Sequence, residues 1–187
     1  MKRLINYSLV LLLVLTGLTF AQNKDYSNEA GYLDFGNMSE LEDGEMVAEV
    51  IIEEHLLKMV SKLTKNEDQE LSDLLNGLKL VRVHAFDVTD ANSKMISNKM
   101  EAINNQLASQ SWDRIVRFRD KEESGNVYIK TDQSDNIVGL VVLAMDKKGE
   151  AAFVNIVGKI DLETIGRLSD KFDIPGLEKV ENGENNR

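Results

Sequence analysis

The chain of 187 residues contains no cysteine and a single proline. Without cysteine there is no disulfide, no thiolate metal site, no catalytic thiol, and nothing to carry the lipid of a bacterial lipoprotein at a new N-terminus. Glycine-rich phosphate loops, a nucleophile-elbow serine between glycines and the spacing of a calcium loop are also missing. The closest approach to the last, Asp132-Gln133-Ser134-Asp135-Asn136, is too short, lacks the terminal glutamate and reads as a turn. With 42% hydrophobic and 29% charged residues and no low-complexity tract, the composition is that of a folded chain of about one domain.

Basic residues are scarce as well, 22 against 32 acidic ones. Nucleic-acid binding needs clustered Lys and Arg to neutralise phosphates, and an anionic membrane surface makes the same demand, so neither is an expected partner. Two of the basic residues, Lys2 and Arg3, open a stretch that continues with the apolar run Leu9 to Leu15 and ends at Thr19-Phe20-Ala21 before Gln22. This is the tripartite layout of a cleavable export signal, with cleavage expected after Ala21. An uncleaved anchor is disfavoured because about 20 apolar residues are usual for a span and this run is broken at Thr16 and Gly17. No later segment is long and apolar enough to span a bilayer. The expected mature chain is exported, periplasmic or extracellular, and soluble.

Periodicity divides the remainder into a flexible leader at 22–30, one domain at 31–180 and an acidic, disordered tail at 181–187. Tyr32 to Phe35 reads as a short strand or an anchoring extended piece. From Glu45 to Leu63 the stripe Met46, Val50, Leu57, Val60 and the adjoining stripe Ile52, Leu56, Met59, Leu63 predict one deeply buried helix. Glu67 to Glu70 gives an acidic start to a short helix through Leu75. Leu78 to Phe86 alternates as a strand, and Ile96, Met100, Ile103 and Leu107 mark a second amphipathic helix ending near Ala108. Four strands follow, Arg114 to Arg119, Val127 to Thr131, Ile137 to Met145 and Ala151 to Lys159, joined by short polar links that predict an antiparallel meander. Ile137 to Met145 is almost wholly apolar, as suits a strand covered on both faces. A last helix is expected from Asp161, with Leu162, Ile165, Leu168 and Phe172 inward, stopping at Pro175-Gly176. The order predicts an α+β domain, an antiparallel sheet with a C-terminal four-stranded meander and helices layered on one face.

The helix segment Leu56-Leu57-Lys58-Met59, the strand Leu80-Val81-Arg82-Val83-His84-Ala85-Phe86, Trp112 ahead of Ile115-Val116-Arg117, and the run from Phe153 to Leu162 together resemble the bacterial family catalogued as domain of unknown function 4252. The resemblance implies an exported protein of a Bacteroidetes-like cell envelope, and carries no activity with it. Members often bear a lipid-attachment cysteine after the signal. This chain departs from that pattern, which removes the expected tether.

Three groups of residues could carry chemistry. Arg117, Arg119 and Lys121 alternate along a strand and its exit, forming the one dense cationic row of the mature chain. They suit a carboxylate, a phosphate or an acidic peptide, against a plainer role as a solvated row paired with Asp120, Glu122 and Glu123. Glu49 and Glu53, four apart within the predicted helix, could form an acid/base or divalent-cation pair, or simply lie at the edge of the apolar arc. His84 stands two residues after Arg82, whose charge opposes metal binding, and His55 lacks a second imidazole at helical spacing.

No metal or cofactor is implied by these patterns. They favour a non-enzymatic module that binds an envelope protein or peptide through its sheet or its cationic row. The alternative is a small-molecule hydrolase or apolar-ligand carrier with a pocket between helices and sheet. The export reading has a direct check: intact-mass measurement of the exported protein is expected to give a chain starting at Gln22, and a chain still starting at Met1 would contradict it.

Overall fold

The computed structural model describes residues 24–41, 47–147 and 149–160. Six strands form one open antiparallel sheet in the order β1-β2-β6-β5-β4-β3. They are β1 Val47–Glu53, β2 Leu78–Asp87, β3 Asp113–Arg119, β4 Glu123–Thr131, β5 Ile137–Asp146 and β6 Glu150–Ile160. Three helices join them: α1 Glu54–Thr64, α2 Gln69–Gly77 and α3 Ser93–Ser109. The run β3-β4-β5-β6 is the expected meander, each strand pairing with the next. β2 returns to the free side of β6, and β1 closes that side.

β5 is buried along nearly its whole length because its alternate side chains enter two different cores. Val141, Leu143 and Met145 join Phe86, Tyr128, Ala151 and Phe153 under α3, whose Ile96, Met100, Ile103 and Leu107 face inward. The helical spacing of those four residues had placed them on one stripe, and they bury as one. Leu140 and Val142 point the other way, into a cluster with Val127, Ile156, Ile160 and the α1 residue Leu57, against which Leu74 and Leu75 of α2 pack. The helices therefore occupy both faces of the sheet, α3 on one and the α1–α2 pair on the other. Layering on one face only is corrected by the composition of β5 itself, since an apolar strand must be shielded on both sides.

The predicted helix from Glu45 to Leu63 also needs correction. Its described N-terminal part, 47–53, is β1, and the helix starts at Glu54. Val50, Ile51 and Ile52 are β-branched, and antiparallel pairing from Val47↔Phe86 to Glu53↔Leu80 uses their stiffness well. On α1 the second apolar stripe is not buried: Leu56, Met59 and Leu63 are exposed, Leu63 at 74%, and so is Val60 of the first stripe. α1 meets α2 instead through two small side chains. Ser61 Oγ donates to the Ser72 carbonyl at 2.8 Å and Ser72 Oγ to the Ser61 carbonyl at 2.9 Å. α2 opens as its acidic start predicted, with the Asp68 carboxylate accepting from the Leu71 N–H.

The segment before β1 is an extended strap over the α3 face, without strand pairing. Leu33, Phe35, Met38 and Leu41 insert into the core there. The buried Asn155 on β6 fastens it, with Oδ1 accepting from the Leu33 N–H at 3.0 Å and Nδ2 donating to the carbonyls of Gly31 at 3.0 Å and Leu140 at 3.3 Å. Gly31 and Gly139 cross so closely that a Cβ on Gly139 would lie 2.5 Å from the Gly31 Cα, so the crossing excludes a side chain. Lys24 and Lys58 both bind Glu54, holding its carboxyl at about 2, well below the usual range. The predicted helix from Asp161, the signal at 1–21 and the tail at 181–187 lie outside the described residues.

Replacing Asn155 by Ala leaves the Leu33 N–H and the Gly31 carbonyl buried without their partner. At about 1–3 kcal/mol for each of the two orphaned groups, a loss of about 2–6 kcal/mol is expected. Leu63→Ala, at an exposed site, is expected to change stability by no more than about 0.5 kcal/mol. Urea unfolding of both variants measures the contrast, and equal midpoints would refute the anchoring role of Asn155.

Candidate functional site: the outer strand and its cationic row

Among the described strands β3 lies at the edge of the sheet, hydrogen-bonded to β4 alone. Its register with β4 shifts between Arg114 and Val116, leaving Ile115 as the extra residue of a bulge. The bulge has a chemical consequence. Arg114 pairs with Tyr128, Arg117 with Asn126 and Arg119 with Ser124, three consecutive alternate positions of β4. All three arginines therefore rise from the face that carries α3, to whose Asn104 the Tyr128 hydroxyl donates at 2.9 Å. Val116 and Phe118 take the opposite face. Without the bulge Arg114 would fall on the other side from Arg117, because strand side chains alternate with period two.

The row read from the sequence was Arg117, Arg119 and Lys121. The first two stand side by side as expected, but Lys121 lies beyond the end of β3 in the hairpin turn. That turn is built on Asp120, whose Oδ1 accepts from the backbone N–H groups of Glu122 and Glu123, each at 2.8 Å. The Lys121 carbonyl accepts from Lys147 Nζ at 2.6 Å. Among the described residues, no ion pair involves Arg114, Arg117, Arg119 or Lys121. The three arginines are exposed, and a guanidinium offers five donors in a planar fork suited to carboxylates.

The second group is assembled at the other end of the sheet. Pairing of β1 with β2 sets Glu49 opposite His84 and Glu53 opposite Leu80. Glu49 and Glu53 share a face, on a strand and not on a helix. Glu49 Oε1 lies 3.8 Å from His84 Nε2, beyond hydrogen-bonding distance, while Glu53 lies 3.7 Å from the exposed His55. His84 is buried, edge-on to Phe35 at 5.8 Å and stacked on Phe86 at 6.5 Å. Arg82 crosses beside it, donating from one terminal nitrogen to the Tyr32 hydroxyl at 2.9 Å and lying over the Tyr32 and Phe35 rings. Tyr32 and Phe35 belong to the N-terminal strap, so this cluster clamps the strap onto β2. A general acid/base pair needs a substrate-sized space at its reacting atoms. Here the imidazole is enclosed by aromatic rings.

Concavity lies on the opposite face, where a groove of about 770 Å³ is lined by Leu57, Leu74, Leu75, Val83, Val142 and Val154 among others. It is apolar except for Glu123, Asp146 and Glu150 at one end, and it contains none of Glu49, Glu53, His84, Arg117, Arg119 or Lys121. Among the described residues, no three His, Asp or Glu side chains are grouped to hold a metal ion.

Sequence reasoning missed Arg114, which only the bulge brings into the row, and missed the clamp of Arg82 on Tyr32. The alternation of Arg82 and His84 was visible, but its partner on the strap was not. It also read the exposed stripe of α1 as core.

An open, six-stranded antiparallel sheet with helices on both faces and, among the described residues, a cationic strand at one edge defines an α+β domain. The chain belongs to the family described as domain of unknown function 4252, which it matches over residues 41–168. No curated protein and no solved structure matches it. No described helix is long and apolar enough to cross a membrane.

Glu49→Gln is expected to shift unfolding by less than about 1 kcal/mol, as befits an exposed carboxylate too far from His84 for a hydrogen bond. Chemical denaturation measures this, and a loss of several kcal/mol would show the pair to be a strong ionic contact.

Proposed function

We propose that this chain is a non-enzymatic binding module of the cell envelope, exported by its N-terminal signal, which engages an acidic segment of a protein or peptide along β3. The observation that carries the reading is the alignment of Arg114, Arg117 and Arg119 on one face of an edge strand, with no ion pair to any of them among the described residues. An extended peptide laid along an edge strand gains main-chain hydrogen bonds, and its alternate side chains face one way. A peptide with carboxylates at alternate positions therefore matches the arginine spacing. Of the neighbouring acids, Asp120 accepts hydrogen bonds within its own turn, from the N–H groups of Glu122 and Glu123.

Two further observations support binding over catalysis. His84 is packed against the rings of Phe35 and Phe86, and neither it nor the exposed Glu49 lines the groove. The stripe Leu56, Met59, Val60 and Leu63 on α1 leaves contiguous apolar surface exposed, as association surfaces do. A second reading, a carrier of an apolar ligand, is favoured by the apolar groove.

The test is binding of a fluorescent peptide with Glu at alternate positions, followed by anisotropy. Changing Arg114, Arg117 and Arg119 together to Ser is expected to weaken binding at least about tenfold, about 1.4 kcal/mol. The fold should survive, since exposed positions cost no more than about 0.5 kcal/mol each. Raising salt from 0.1 M to 1 M is expected to weaken binding as the Debye length falls from about 10 Å to about 3 Å. Equal affinity of the triple variant and the parent, or no binding by the parent, would overturn the proposal.

A further inference from the structure

The groove on the α1–α2 face has a graded floor, set by the register of four adjacent strands, β2, β6, β5 and β4. Val83, Val154, Val142 and Val127 stand opposite one another on one rung. The next rung on this face, toward the β5–β6 hairpin, is Ala85, Ala152, Ala144 and Gly125. Small residues on all four strands leave a trench across the sheet. The Phe118 ring of β3 walls its outer end, lying against Gly125 in the space that a side chain there would take.

The rung after the trench is acidic. Asp87 opposes Glu150, and Glu123 opposes Asp146. β5 and β6 pair as far as Met145↔Ala151, whose next residues are Asp146 and Glu150. Strand side chains alternate with period two, so all four carboxylates share the face of the trench. Glu123, Asp146 and Glu150 line the groove, and among the described residues no Lys, Arg or His does. Lys147, next in the chain, donates its Nζ to the Lys121 carbonyl at 2.6 Å. Like charges directly opposite on a sheet are destabilising, and a cation brought among them relieves the repulsion.

We propose that the groove binds an amphiphile with one apolar chain and a cationic head, an ammonium or a guanidinium. The chain lies along the valine rung and over the alanine trench, and the head rests against the acidic row. The proposal deepens the carrier reading, on which it rests, by naming the class of ligand. A volume of about 770 Å³ suits a single small molecule. From Ile156 to Glu150 the floor runs about 20 Å along β6, so the ligand is elongated. Charge at one end only fixes its direction. The three lining carboxylates stand on three strands about 4.8 Å apart, and among the described residues no such group converges to hold a metal ion. They are spaced for a larger head. An anionic amphiphile of the same shape would set carboxylate against carboxylate.

The probes are dodecylamine, dodecanol and dodecanoic acid, which share a chain and differ in the head. Each is titrated calorimetrically against the chain from Gln22 to Arg187, at neutral pH and below micellar concentration. Dodecylammonium is expected to bind at least about tenfold more tightly than dodecanol, and dodecanoate more weakly than either. Equal affinity for all three would overturn the cationic assignment and leave the carrier reading standing. No binding of any probe would overturn both.

Two variants separate the head from the chain. Glu123→Gln with Glu150→Gln, both at exposed positions, is expected to bring dodecylammonium to within about threefold of dodecanol, whose own affinity is unchanged. A preference for the amine that survives these substitutions would refute the role of the acidic row. Ala144→Leu with Ala152→Leu keeps every carboxylate and fills the trench, and is expected to weaken both ligands at least about tenfold. Dodecylammonium binding undiminished in this variant, with its circular dichroism that of the parent, would place the amine on the acidic surface at large and overturn the proposal. The arginines of β3 rise from the other face, so the peptide-binding test reports on a separate surface.

Discussion

The constraint from which the architecture follows is that β5 and its neighbour β6 are apolar on both faces and must be kept from water twice over. From Ile137 to Met145 the chain offers no polar side chain, and from Ala151 to Val157 the one strongly polar residue is Asn155. Two such strands cannot lie at an edge. They take the centre, flanked by β4 beside β5 and by β2 beside β6. Cover for one face comes from α3 and the strap, and cover for the other begins with α1 and α2. Asn155 is the exception that fixes the register of this arrangement. Its amide is wholly buried, yet its bonds to Gly31, Leu33 and Leu140 satisfy it, so its burial cost is offset only when the strap is in one position.

Polar chemistry is thereby displaced to the margins. At the β1 side the register brings Glu49, Arg82 and His84 together with Tyr32, and the aromatic rings around them turn that cluster into a clamp. At the β3 side a one-residue bulge rotates Arg114 into line with Arg117 and Arg119. Bulges at edges commonly serve to spoil unwanted strand pairing, and charge on an edge strand does the same. An edge protected by arginine against its own kind remains attractive to an extended chain bearing carboxylates.

Much of this was legible before any coordinates. The 3.6-residue period of Ile96, Met100, Ile103 and Leu107 is unambiguous because the residues between are polar, and α3 follows it. The meander was legible because its links are short and polar and its strands alternate. β1 was not, because Val47 to Glu53 satisfies a helical stripe and a strand alternation equally, and only pairing with β2 decides between them. That choice also moved Glu49 from a helix face to a position opposite His84. The strap's attachment was illegible for a different reason: Asn155 and Leu33 are 122 residues apart, and no local pattern announces a contact of that range. Arg114 was hidden by the bulge, which leaves no signature in composition. Layering on both faces was implied by the apolar character of β5, yet one helix layer was expected where two are needed.

The net charge adds a last step. The chain carries −10, and the proposed removal of Lys2 and Arg3 with an export signal would leave 20 basic against 32 acidic residues, about −12. Such a field would repel the proposed acidic partner at long range, so under that reading the cationic row would act only within about a Debye length, about 8 Å at physiological salt. Encounter is then not steered by the whole molecule, and association falls toward the unsteered range of about 10⁵–10⁷ M⁻¹s⁻¹. Selectivity gains from the same arrangement. A partner with diffuse negative charge meets the repulsive field without reaching the arginines, whereas an extended segment with carboxylates at alternate positions places each one beside a guanidinium. Under the proposed reading, discrimination would come from the spacing of the row and the strand edge, with the acidic remainder of the surface working against other anionic competitors.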